Sequence, residues 1–232
     1  AGLWLLWATY LRLPVSTTHS AVGAVAGAGV AAGGVPIYWE KLLDIFLAWV
    51  LTPVGAAVVA YILYQLLRLL VLRWFAIPDR VWAWLLTASG MWMAFSWGAN
   101  DVANATGVMV GAGFVSPFTA TLLGGLAIVL GIATWGYRVM ETIGTRITHL
   151  VPPMAFVAEL AAALNVQLYT LVGLPVSTTH SIVGAVFGVG LVFGRAAIDP
   201  RTARDIVLAW AATPVASGVV SAIVFWLLAR FL

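Results

Sequence analysis

Long apolar stretches alternate with short polar or proline-containing breaks along this 232-residue chain. Residues 45–72, 81–96, 118–136, 154–173 and 206–232 carry few charges, and a helix that crosses a bilayer needs about 20 apolar residues. These five stretches are read as transmembrane helices, the shorter ones only just long enough. Two further apolar stretches, 20–32 and 181–193, are too short to span and suggest re-entrant, half-membrane helices. The period-2 alternation of a membrane β-barrel is missing. Helices are then the remaining way to satisfy the backbone in lipid, and the expected class is an all-α polytopic membrane protein.

The polar breaks repeat. Pro-Val-Ser-Thr-Thr-His-Ser occurs at 14–20 and returns 161 residues later at 175–181. At that offset an ungapped match runs from Leu13/Leu174 to Leu67/Leu228. Gly23, Gly27 and Gly29 fall on Gly184, Gly188 and Gly190, and Asp44 falls on Asp205. Trp49-x-x-Thr52-Pro53-Val54 falls on Trp210-x-x-Thr213-Pro214-Val215. So long a period is no solenoid repeat; duplicated halves in an apolar chain point to transporters. The organisation read from this is a first transmembrane repeat at 1–72, a basic linker at 73–80 and a second repeat at 81–232. A polar segment around Asn100 has its counterpart, at the same offset, before residue 1, so the first repeat reads as N-terminally incomplete.

Composition agrees with the pattern: 63% of residues are hydrophobic and 8% charged, where soluble domains carry about 25% charged residues. No cysteine is present, which removes disulfides and thiolates. The chain opens on an apolar run without a charged leader region, unlike a signal peptide. Arginines gather at Arg68, Arg73 and Arg80, at Arg138 and Arg146, and at Arg195, Arg201 and Arg204. Cytoplasmic loops are rich in such residues. The first cluster is therefore placed on the cytoplasmic side; the others fit that side or snorkelling helix ends.

Gly98-Ala99-Asn100-Asp101-Val102-Ala103-Asn104-Ala105 puts two amides and a carboxylate into a membrane stretch. A carboxylate at a helix centre costs at least ~2.5 kcal/mol on insertion scales. Asn100 and Asn104 share a helical face with Asp101 beside them, a plausible half-shell for Na⁺. The competing reading is helix–helix glue by polar side chains. The two Ser-Thr-Thr segments resemble helix starts, with Pro14 and Pro175 in the first turn. Such a start in mid-membrane aims N–H groups and hydroxyls of Ser16, Thr17, Thr18 and Ser177, Thr178, Thr179 at an anion; the alternative is plain capping. His19 and His180 either orient these hydroxyls or simply pack. Asp44 and Asp205 read as helix N-caps, Glu141 as part of a loop or helix-end ion pair, and Glu159, alone in an apolar stretch, as part of a transport path.

Gly98–Ala105 together with the two PVSTTHS segments resembles the paired signatures of the inorganic phosphate transporter (PiT) family, and the similarity covers nearly the whole chain. The resemblance implies an inverted-repeat secondary transporter with two re-entrant helical hairpins and broken helices, a multi-pass protein of the cell membrane. It implies symport of inorganic phosphate with Na⁺ (or H⁺), the substrate near mid-membrane between the PVSTTHS and GANDVANA segments. Carried over by motif, Ser16, Thr17, Thr18, Asn100, Asp101, Ser177, Thr178 and Thr179 would bind substrate. Asn100, Asp101, Asn104, Ser177 and Thr178 would hold Na⁺, and Glu159 is the coupling candidate. Implied partners are phosphate, the coupling ion and lipid, with a homodimer reasonable and no nucleic acid or cofactor. The alternatives are a sulfate permease of the same family and a non-transporting truncated subunit. Hydrolase chemistry is disfavoured, since no Gly-x-Ser-x-Gly elbow accompanies the serines.

Overall fold

The computed structural model describes residues 1–33, 36–143, 147–194 and 198–231. Arg146, Arg195 and Leu232, which entered the readings above, lie outside the described residues. Among the described residues the elements are all helical: α1 Gly2–Tyr10, α2 Thr17–Ala32, α3 Trp39–Leu67, α4 Asp79–Gly111, α5 Pro117–Gly131, α6 Tyr137–Glu141, α7 Pro152–Leu171, α8 Thr178–Leu191 and α9 Pro200–Leu228. Single π turns follow α3 at Arg68–Leu72 and α5 at Ile132–Gly136. Helices over Trp39–Leu72, Pro117–Glu141, Pro152–Leu171 and Pro200–Leu228 are long and apolar enough to cross a membrane. The fifth expected span, 81–96, lies within the 33-residue α4, which is not one of those four. The class is all-α and membrane-spanning, as the pattern of apolar stretches requires.

The duplication survives in the element bounds. α3 and α9 begin and end 161 residues apart, and so do the first residues of α2 and α8. The backbone also repeats: Arg12 has φ +60° where Gly173 has +72°, each just past the last turn of the helix preceding the break. α2 and α8, with 16 and 14 residues, are as short as expected.

Two compact units divide the chain. One comprises Ala1–Phe46, Asp101–Met140 and Arg204–Leu232; the other comprises Leu47–Asn100 and Glu141–Ala203. Each draws on both repeats. In the first, α1 and α2 form a hairpin whose second helix lies on α9. In the second, α7 and α8 form a hairpin whose second helix lies on α3. The motif helix of each repeat thus packs on the proline-bearing helix of the other.

Glycine permits that packing. A methyl group at Gly184 would strike the Pro53 carbonyl oxygen in the second unit, and one at Gly23 would strike that of Pro214 in the first. The glycine stripes therefore bring backbones together within one chain. Asp44 and Asp205 are not N-caps. They sit in the second turns of α3 and α9, Asp44 near Lys41 at 3.9 Å and Asp205 paired with Arg204 at 2.8 Å. Asp199 stands immediately before α9, ahead of Pro200. Hydrogen bonds from the Thr202 hydroxyl, the Thr202 N–H and the Arg201 N–H hold its carboxyl below the usual carboxylate range.

Candidate functional site

Both PVSTTHS segments fold alike, and the reason is local. Ser16 and Ser177 are extended N-caps whose hydroxyls accept the N–H of His19 and His180 at 3.1 and 3.0 Å, the usual N-cap bond to the third helical residue. Helix therefore starts at Thr17 and Thr178. Pro14 and Pro175 lie before the cap instead of in the first turn, because the serine claims that boundary.

The histidines have a definite task. Proline has no N–H to offer the carbonyl four residues back; for Pro53 that carbonyl belongs to Trp49, and for Pro214 to Trp210. His180 Nδ1 reaches the Trp49 carbonyl at 3.1 Å, and His19 Nδ1 reaches the Trp210 carbonyl at 3.3 Å. A carbonyl only accepts, so in each ring Nδ1 carries the hydrogen. Each motif histidine thus serves a proline-interrupted turn of the helix under it. Trp210 Nε1 returns a bond to the Pro14 carbonyl at 3.0 Å.

In the first unit the expected polar residues meet. Thr17 donates to Asp101 Oδ1 at 3.1 Å, and Asn104 donates from Nδ2 to Thr18 Oγ1 at 2.9 Å. Asp101 and Asn104 are three apart on α4, so both face the start of α2. Ser16 and Thr18 are fully buried. One turn deeper, Ser20 and Ser217 share a hydrogen bond of 2.7 Å.

In the second unit Asn100 donates to the Val176 carbonyl at 2.9 Å, immediately before the Ser177 cap. Ser177, Thr178 and Asn100 are buried and Thr179 is half-buried. Asn165 holds the hairpin, donating to Ser181 Oγ at 3.0 Å and to the Thr52 carbonyl at 3.2 Å. Glu159 accepts from Ser89 Oγ, and Gln167 accepts from Ser96 Oγ at 3.0 Å. Ser89, Ser96 and Asn100 therefore bond α7 and the turn after it in ascending order, a polar seam between parallel helices.

Reading the residues alone misses Ser89, Ser96, Asn165 and Gln167. Asn165 and Gln167 carried a usable signal, as amides in an apolar stretch; the two serines did not, since serine is common at packed helix faces.

A family model described as the phosphate transporter family matches residues 1–80 and 75–221. A Pyrococcus abyssi protein named a phosphate permease is 33% identical over an alignment 308 positions long, covering 98% of this chain and 76% of the relative. Inorganic phosphate transporter 2-1 of Arabidopsis thaliana, a chloroplastic protein, is 28% identical and matches 100% of this chain and 58% of its own length. A solved structure described as the sodium-dependent phosphate transporter aligns at a TM-score of 0.86 and 30% identity, covering 99% of this chain and 77% of that one.

Proposed function

Since the chain belongs to the phosphate transporter family, we propose that it is a secondary symporter of the cell membrane that moves inorganic phosphate with Na⁺. The observation that carries this reading is the cluster of Thr17 and Thr18 against Asp101 and Asn104 in the first unit. It joins a helix N-terminus with hydroxyls, which suit an oxyanion, to a carboxylate and an amide, which suit a hard cation. Ser177, Thr178, Thr179 and Asn100 bring the same chemistry in the second unit. The likeness to a sodium-dependent transporter supports Na⁺ as the coupling ion.

The order of binding follows from charge. No Lys or Arg lies within residues 14–20, 98–105 or 175–181. A phosphate ~5 Å from a carboxylate is repelled by ~3 kcal/mol per unit charge at an effective dielectric near 20. A helix N-terminus offsets only about 0.3–2 kcal/mol. Cation binding at Asp101 therefore comes first and makes anion binding favourable, and this order is the physical origin of coupling. Glu159, held by Ser89, is the second acidic group assigned to coupling.

The test is labelled-phosphate uptake into proteoliposomes under an imposed Na⁺ gradient, a proton gradient, or neither, with sulfate in excess. Uptake driven by Na⁺ and insensitive to sulfate is the expected result. Uptake driven by protons alone, or abolished by sulfate, would overturn the assignment.

A further inference from the structure

The π turn after α3 has no part in the site described above. It spans Arg68–Leu72 and is closed by the Arg73 N–H donating to the Arg68 carbonyl at 3.0 Å. In an α-helix of 3.6 residues per turn, side chains five apart point about 140° away from each other. The wider turn with its i→i+5 hydrogen bond rotates less per residue and brings them nearer to one face. Arg68 and Arg73 consequently line one cleft of about 400 Å³, together with Leu69 and Leu72.

The four residues that line that cleft are apolar or cationic. No acidic residue occurs between Asp44 and Asp79, and among the described residues neither arginine forms an ion pair. The Arg73 guanidinium lies 5.5 Å from the Trp74 ring centre. Leu69, Leu70, Trp74 and Phe75 are exposed at 51–69%, at the end of a helical run, Trp39–Leu72, that is long and apolar enough to span a bilayer. Tryptophan and arginine at such an end mark the headgroup level.

We propose that this cleft binds the phosphate-bearing headgroup of an anionic phospholipid, its phosphate held by Arg68 and Arg73 and its acyl chains lying along Leu69 and Leu72. Two guanidiniums on one side of a helix suit a phosphate fork-wise, and the adjoining leucines suit a ligand with a hydrocarbon tail, which free phosphate lacks. The lipid site rests on the membrane-spanning reading of α3, not on the transport reading.

Native mass spectrometry tests this on the full chain, released from vesicles of phosphatidylcholine and phosphatidylglycerol. Wild type is expected to retain phosphatidylglycerol in preference to phosphatidylcholine. Arg68→Gln/Arg73→Gln is expected to lose that preference about thirty-fold, the effect of two arginines near an anionic surface, while Arg80→Gln retains it. Should the double variant not fold, each single variant carries the test with about a five-fold loss. Equal retention by wild type and the cleft variants would overturn the proposal, as would equal retention of both lipids by wild type. Displacement of the lipid by millimolar inorganic phosphate would overturn it too, by showing a site for the soluble anion.

Discussion

His180 provides the hydrogen bond that Pro53 takes away. The imidazole donates from Nδ1 to the Trp49 carbonyl at 3.1 Å, where residue 53 of an uninterrupted helix would have donated its own N–H. His19 stands in the same relation to Pro214 through the Trp210 carbonyl.

Replacing His180 by Leu should therefore destabilise the second unit by about 1 kcal/mol, the scale of interhelical hydrogen bonds in membranes. Pro53→Ala restores the missing N–H. In that background the cost of His180→Leu should fall by half or more, and a double-mutant cycle on thermal unfolding in detergent measures the difference. Equal costs in both backgrounds would contradict the relation.

The close approach of α8 to α3 gives a second prediction. Gly184→Ala places a methyl group against the Pro53 carbonyl and should cost about 1–3 kcal/mol, as overpacking does. Gly98→Ala meets nothing within 4 Å and should leave stability unchanged or slightly raised. Midpoints of thermal unfolding for the two variants check the contrast. The two glycines thus differ in kind: Gly184 lies against the backbone of α3, and Gly98 has open space beside it.

Arg12 adopts φ +60° where its repeat counterpart is Gly173. The left-handed region costs a side chain about 1–2 kcal/mol. Gly173→Ala should accordingly destabilise by about 1 kcal/mol, and Arg12→Ala, which keeps a Cβ at the same φ, should leave that strain in place. Unfolding temperatures of the two variants, measured side by side, separate strain from contact.

Much of this architecture was legible in the chain. The offset between the two PVSTTHS segments anticipates the matching bounds of α3 and α9, and the short apolar stretches after each motif anticipate α2 and α8. What could not be read is the pairing. The two Trp-x-x-Thr-Pro segments are so alike that nothing tells whether His19 serves Pro53 of its own repeat or Pro214 of the other. Only the packed structure decides, and it exchanges them. The partners of the polar face of α4 were hidden for a related reason. Asn100 and Asn104 look equivalent at i and i+4, yet one bonds the Val176 carbonyl and the other the Thr18 hydroxyl. Helix starts were misplaced where proline was taken as the signal, since serine caps α2 and α8, and where the apolar stretch alone was, since α9 begins at Pro200, six residues before 206.

Ser89→Ala tests the polar seam. Removing the hydroxyl leaves the Glu159 carboxylate without its donor from α4, so maximal uptake should fall several-fold and its pH dependence should shift, while Ser89→Thr restores both. A change in protein stability alone, with the pH profile unmoved, would make the contact structural only.

The central claim is that a cation at Asp101 admits the phosphate. Calorimetric titration of phosphate into the purified protein, in sodium and in potassium buffer, addresses it directly for wild type and Asp101→Asn. Wild type should bind about a hundred-fold more tightly in sodium, corresponding to the ~3 kcal/mol repulsion that the cation removes. Asp101→Asn should bind with nearly the same affinity in both buffers. If Asp101→Asn keeps the full sodium dependence of wild type, the carboxylate is not what couples the two ions.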